Sequence, residues 1–147
     1  MFRSAMTLSA IILFLFVITS FGMNRESLEN PDTRKAAVST LLEGLNSDNY
    51  GLRTGSAFML GEIKAEEAVI PLMKMLRTED REEARIVAAL ALYKLDNPRG
   101  IFAVKQATRF DNSERVRKMC TNFYNETIKE KYSGVEFVKE DIEVAIR

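Results

Sequence analysis

The sequence predicts an all-α fold, a short α-solenoid of about three helix pairs, and three observations carry that prediction. The first is a repeat of 32 residues: Asp48, Asp80 and Asn112 share this spacing, and so do Arg53, Arg85 and Arg117. A fixed internal period of this size is the mark of stacked repeats. The second is that apolar residues within each unit recur at intervals of three and four, the period of an amphipathic helix, rather than at two. The third is the punctuation, because Asp, Asn, Ser and Pro fall where they would cap helices and leave loops only a few residues long.

Taken in order, the helices are expected at 34–46, 49–63, 66–77, 80–95, 98–109 and 112–131. The first carries Ala37, Leu41, Leu42 and Leu45 on one face, with Asp32 or Thr33 as its cap. The second has the stripe Leu52, Ser56, Met59, Leu60 and Ile63, capped by Asp48 or Asn49. The third presents Ala68, Val69, Leu72, Met73 and Leu76, and Pro71 inside it should bend the helix unless the true start is later. The fourth repeats the second as Ala84, Ala88, Ala91, Leu92 and Leu95, with Asp80 as its expected cap, and its small residues allow close helix approach. The fifth opens on Asn97 and Pro98, a cap followed by proline at the first helical position, and has a weaker stripe of Ile101, Val104 and Ala107. The sixth, capped by Asn112 or Ser113, keeps the register at Val116, Cys120 and Tyr124.

The flanks differ from the repeats. Arg3 precedes an apolar run from Leu8 to Ile18, which gives way to Thr19-Ser20-Phe21-Gly22. That is the plan of a secretory signal at 1–22, cleaved after Gly22, and the run falls short of the about 20 apolar residues that span a bilayer. A linker at 23–33, the solenoid at 34–131 and a tail at 132–147 then follow. The chain is accordingly expected to be exported, periplasmic or secreted, with an uncleaved N-terminal membrane anchor as the alternative. In the tail, Ser133-Gly134 breaks the helical pattern before a run from Val135 to Ile146 that could fold back on a groove or cover the last repeat.

Composition removes several kinds of chemistry. Lys plus Arg and Asp plus Glu both number 21, so no charge excess points to nucleic acid. Histidine is absent, which excludes serine-histidine and cysteine-histidine nucleophiles and zinc sites of the common cysteine and histidine types. Cys120 is the single cysteine, so an internal disulfide is impossible; it aligns with Ser56 and Ala88 and is expected to be a small buried side chain. The paired carboxylates Glu66-Glu67, Glu79-Asp80 and Glu82-Glu83 fall at helix starts, where negative charge suits the helix dipole. No glycine-rich phosphate loop is present, and no catalytic, cofactor or metal site is expected.

The stretch Leu52-Arg53-Thr54-Gly55-Ser56-Ala57-Phe58-Met59-Leu60-Gly61-Glu62-Ile63-Lys64-Ala65-Glu66-Glu67-Ala68-Val69-Ile70-Pro71-Leu72 resembles a HEAT repeat of the kind found in phycocyanobilin-lyase-like proteins. The resemblance runs from about residue 34 to 127 and thins toward the end, where Tyr93 and Asn125 replace Gly61 and Thr127 replaces Ile63 and Leu95. It implies the fold; shared repeats do not transfer the lyase activity. The histidine-glutamate iron sites of HEAT-repeat deoxyhypusine hydroxylases cannot be built without histidine.

Two functional expectations follow. The recurring Asp48/Arg53, Asp80/Arg85 and Asn112/Arg117 pairs should cap helices and cross-link successive units, the rival use being an arginine row that grips an anion. The resemblance implies that the second helix of each pair lines the concave face, which puts Thr54, Phe58, Ile86, Leu90, Lys94, Lys118 and Asn122 on the candidate partner-binding row. Phe58, Ile86 and Leu90 would form an apolar patch across two repeats. The expected role is an exported, non-catalytic scaffold for an unknown protein partner in the envelope or outside the cell. The alternative is a structural subunit that self-associates end to end.

Overall fold

The computed structural model describes residues 30–132. The expected leader at 1–22, the linker up to Glu29 and the tail from Ser133 lie outside the described residues. The chain divides into two compact units, residues 1–37 and 38–147. Of the first, residues 30–37 are described. Helix α1 (Pro31–Gly44) starts there rather than at 34, and its cap is Asn30 rather than Asp32 or Thr33. Asn30 Oδ1 accepts the backbone N–H groups of Asp32 at 2.9 Å and Thr33 at 3.4 Å, with Pro31 at the first helical position, where a missing N–H is harmless.

The second unit holds the rest of α1, then α2 (Tyr50–Glu62), a 3₁₀ turn at Glu66–Ala68, α3 (Val69–Thr78), α4 (Glu82–Leu95), α5 (Pro98–Phe110) and α6 (Glu114–Tyr132). Helices α2, α4 and α6 pack in succession, as do α3 and α5, and each of α3 and α5 also packs against α4. Two layers of helices result, one repeat following the next. No strand occurs among the described residues.

Local chemistry explains the boundaries. Asn49 Oδ1 accepts Leu52 N–H at 3.0 Å and Asn97 Oδ1 accepts Arg99 N–H at 3.0 Å, so α2 and α5 carry side-chain caps. Ser113 Oγ does the same for α6 through Val116 N–H at 3.3 Å. The expected cap of α4 fails: the capping position is Arg81, one residue past Asp80, and it carries no side-chain bond. Pro71 does not bend α3, since the α-helix starts at Val69 and the residue falls in the first turn, where the backbone nitrogen has no helical acceptor. Lys64 and Asp96 end α2 and α4 in left-handed conformations, with φ of 51° and 48°. The residue 32 further on is Ile128, whose branched side chain disfavours that conformation, and α6 continues through it to Tyr132.

The core is a continuous cluster of Val38, Ala57, Leu60, Leu72, Leu76, Ala88, Ala89, Leu92, Val104, Val116 and Cys120. Its layers are thin. A Cβ added to Gly61 would lie 2.7 Å from Ala91 Cα, so α2 and α4 touch nearly backbone to backbone. Leu52 departs from the predicted core stripe: it is 53% exposed, whereas its equivalents Ala84 and Val116 are fully buried. Helices α4 and α6, which carry those two residues, each have a second helix packed before them, and among the described residues α2 has none.

Candidate functional site

The most regular polar feature is the arginine series, and the structure assigns it a structural use. Arg85 spends all five of its N–H donors. Nε and Nη2 grip Asp111 at 2.9 Å each, Nη2 reaches Asn112 Oδ1 at 2.7 Å, and Nη1 donates to the carbonyls of Glu79 at 2.9 Å and Asp80 at 3.0 Å. Arg53 repeats this one unit earlier, with Glu79 as its bidentate partner at 2.8 and 3.2 Å and the Ser47 and Asp48 carbonyls at 2.9 and 3.0 Å. Arg117 donates to the Asp111 carbonyl at 2.7 Å. The expected cross-link between units therefore exists, but its anions are Glu79 and Asp111, one position before Asp80 and Asn112, and Asp48 and Asp80 contribute only carbonyls. The bond to Asp111 pushes the Arg85 guanidinium above its ordinary value, with burial opposing more weakly. A guanidinium with every donor engaged has nothing left for an anionic ligand.

Along the exposed side of α2, α4 and α6 the predicted row is present with different weights. Phe58 is 41% exposed, and the Lys94 ammonium sits over its ring, 4.9 Å from the centroid. Lys94 also pairs with Glu62, so three of these side chains from two repeats meet at one point. Ile86 and Leu90 are half-buried, Ile86 against the core, which makes the apolar patch narrower than the sequence suggested. Thr54 is half-buried and donates its hydroxyl to the Tyr50 carbonyl at 3.0 Å. Lys118 and Asn122 are exposed on α6 and stand apart from the Phe58 cluster. At the other end of the row Arg81 lies over the Tyr50 ring at 4.3 Å, and Glu82 takes the Ser113 hydroxyl at 2.5 Å and Arg115 at 3.0 Å. Those two contacts, the hydroxyl first, hold the Glu82 carboxyl below its ordinary range.

These contacts belong to stacked units of one kind, and the family profile for HEAT repeats matches residues 38–122. The chain belongs to the HEAT-repeat family. No curated protein matches it. In a HEAT array the structural positions recur in every unit while contact residues vary, and that is the distribution here: Arg53, Arg85 and Arg117 are constant, whereas Phe58, Leu90 and Asn122 share a position and differ in character. HEAT repeats typically serve protein-protein contact rather than catalysis. Among the described residues no group of three His, Cys, Asp or Glu side chains is placed to hold a metal, and no helix is long and apolar enough to cross a membrane. Cys120 is buried and free, and desolvation pushes its thiol up to about 12, which keeps it protonated and unreactive.

The sequence reading missed a second apolar surface, on the HEAT units' first helices. Ile70 is 58% exposed, Phe102 59% and Phe110 77%, on α3 and α5. Ile70 and Phe102 are 32 residues apart, so the repeat itself contained the signal. It was obscured because Ile70 directly follows the buried Val69, although it falls outside the core stripe of Ala68, Val69, Leu72, Met73 and Leu76.

Proposed function

We propose that the chain is an exported, non-catalytic scaffold that holds a protein partner against the second-helix row, with Phe58, Leu90 and Ile86 as the apolar contacts and Thr54, Lys94, Lys118 and Asn122 around them. The observation that carries this reading is Phe58, a large aromatic side chain left 41% exposed at the junction of two repeats beside a charged pair. An aromatic anchor with a polar surround is the usual composition of an interaction hot spot. Export rests on the apolar segment from Leu8 to Ile18 and the small residues that follow it.

The two ends of the array favour this reading over end-to-end self-association. At the α2 end the exposed residue is Leu52, while on α6 the positions equivalent to the buried Ala57 and Ala89 are held by the exposed Thr121, and Asn125 stands where Gly61 was buried. An apolar end and a polar end make a poor repeated joint. The test is capture from the native envelope with wild type and with Phe58→Glu plus Leu90→Glu. The reading expects a partner held by the wild type and weakened by about thirtyfold or more in the variant, with unchanged helical circular dichroism. Equal capture by both would remove the row from consideration.

A further inference from the structure

A groove of about 790 Å3 runs between α3 and α5, on side chains that take no part in the second-helix row. Ile70 and Phe102 flank one end and Phe110 the other, with Lys74, Arg77 and Gln106 along the walls. Arg109 lies one repeat on from Arg77 and is exposed beside the groove. Among the described residues Lys74, Arg77 and Arg109 make no ion pair, although carboxylates elsewhere in the array are heavily used. Glu79 and Asp111, which also line it, are taken by Arg53 and Arg85, so the groove offers apolar surface at both ends and, between them, Lys74, Arg77 and Arg109 against Asp80 alone.

We infer that this groove is the docking site of the chain's own segment 135–146, which binds it in cis. The composition matches. Within residues 133–147 there are four acidic side chains, Glu136, Glu140, Asp141 and Glu143, against Lys139 and Arg147, together with Val135, Phe137, Val138 and Ile142. The order matches as well. Lys131 Nζ is 3.9 Å from Asp96 Oδ1, so α6 ends beside the turn from which α5 begins. A segment leaving Tyr132 meets Phe102, in the second turn of α5, before it meets Arg109 near the last. Its apolar residues Val135, Phe137 and Val138 come first, then Glu140, Asp141 and Glu143, with Ile142, Val144 and Ile146 among and after them, toward the Phe110 end.

The reach is sufficient. From Asp96 to Arg109 the helix rises by about 20 Å. The eleven residues from Ser133 to Glu143 cover about 16 Å as a helix and about 36 Å if extended, so the distance lies between the two. The polar positions Thr121 and Asn125 on α6 give the segment less reason to continue the stack as a further repeat. Docked in the groove, it covers Ile70 and Phe102 and leaves Phe58 and Leu90 open to a partner.

Cysteine cross-linking of the full chain tests this directly, because the native thiol, Cys120, is buried and stays protonated. One variant carries Gln106→Cys with Lys139→Cys, and a second carries Asn122→Cys with Lys139→Cys; both are treated with a short bismaleimide at low protein concentration. The expected result is a link within one chain in the first variant, in at least about tenfold greater yield than in the second. Three exposed charge pairs worth about twofold to threefold each mean that Glu140→Lys, Asp141→Lys and Glu143→Lys together lower that yield by about tenfold. Adding Lys74→Glu, Arg77→Glu and Arg109→Glu should restore it. Equal yields in the two variants, links only between chains, or a yield indifferent to charge reversal would each overturn the inference.

Discussion

Replacing Arg85 by alanine removes the most completely engaged side chain in the array. Arg85 is 6% exposed, and Asp111, its bidentate partner, has a side chain 7% exposed. Without the guanidinium, the Asp111 carboxylate keeps the Ser113 N–H at 2.8 Å but loses both charge-assisted bonds, and the Glu79 and Asp80 carbonyls lose their donor. Breaking a buried pair by deleting one partner costs about 3–5 kcal/mol, because the surviving charge is desolvated and uncompensated. For an array of this size about 4 kcal/mol corresponds to a fall in Tm of about 20 °C, a large share of the about 5–15 kcal/mol that holds a typical domain together. Urea unfolding followed by helical circular dichroism measures it. Removing both charges at once, as Arg85→Met with Asp111→Leu, should recover most of the loss, since the desolvation penalty then disappears with the attraction. Arg117→Ala should cost far less, as that side chain gives up one described bond to a carbonyl. A loss under about 1 kcal/mol in Arg85→Ala, or an equal loss in Arg117→Ala, would refute the view that the ladder holds successive units together.

Three further outcomes are expected. Gly61→Ala should destabilise by about 1–3 kcal/mol in the same unfolding assay, because its new methyl would meet the Ala91 backbone, which cannot step aside. Cys120 should resist alkylation at pH 8 in the folded protein, with a rate about a thousandfold below that of the unfolded chain, as expected for a thiol raised from 9.0 to about 12. The Glu82 carboxyl is held below its ordinary 4.5, so the stability it contributes is present above that pH and lost as pH falls through the lower folded value. Glu82→Gln should accordingly flatten the acid limb of a Tm-against-pH curve below about pH 4.5, and an unchanged limb would show that the Ser113 and Arg115 contacts do not hold in solution.

The repeat was legible because stacking demands the same residue type at the same place in each unit. Arg53, Arg85 and Arg117, together with the small residues Ser56, Ala88 and Cys120, recur at fixed places in each unit, and they reveal the period without any structure. The anions of the ladder were not legible in the same way. Glu79 and Asp111 are themselves 32 apart, but Asp48 and Asp80 show the same spacing one position later, and only the extended backbone at Glu79 and Asp111 decides which side chain turns toward the arginine. Leu52 was misread for a related reason: periodicity says which face a residue is on, not whether a preceding unit covers that face. The second-helix row proposed for partner contact was readable as a set of positions, but its weight on Phe58 depends on Lys94 and Glu62 meeting across two repeats, a contact of tertiary origin.

The same register also sets the α6 end of the described array apart from its inner joints. A further unit would have to press on Arg117, Thr121, Tyr124, Asn125 and Ile128, the equivalents of residues that α4 presents to α6 as Arg85, Ala89, Leu92, Tyr93 and Asp96. Two of these break the pattern, one in polarity and one in backbone conformation. Thr121 replaces a fully buried alanine, and Ile128 replaces the left-handed residue that lets the chain turn back, so α6 runs on past the point where a new pair would begin. Restoring the apolar surface with Thr121→Ala and Asn125→Leu should therefore join this end to the exposed Leu52 of a second copy. Because that contact is heterologous it would not close on itself, and sedimentation should show a mass that keeps rising with concentration rather than stopping at a dimer. If the variant instead sediments as the wild type does at every concentration, the polar character of α6 is not what keeps this end from stacking.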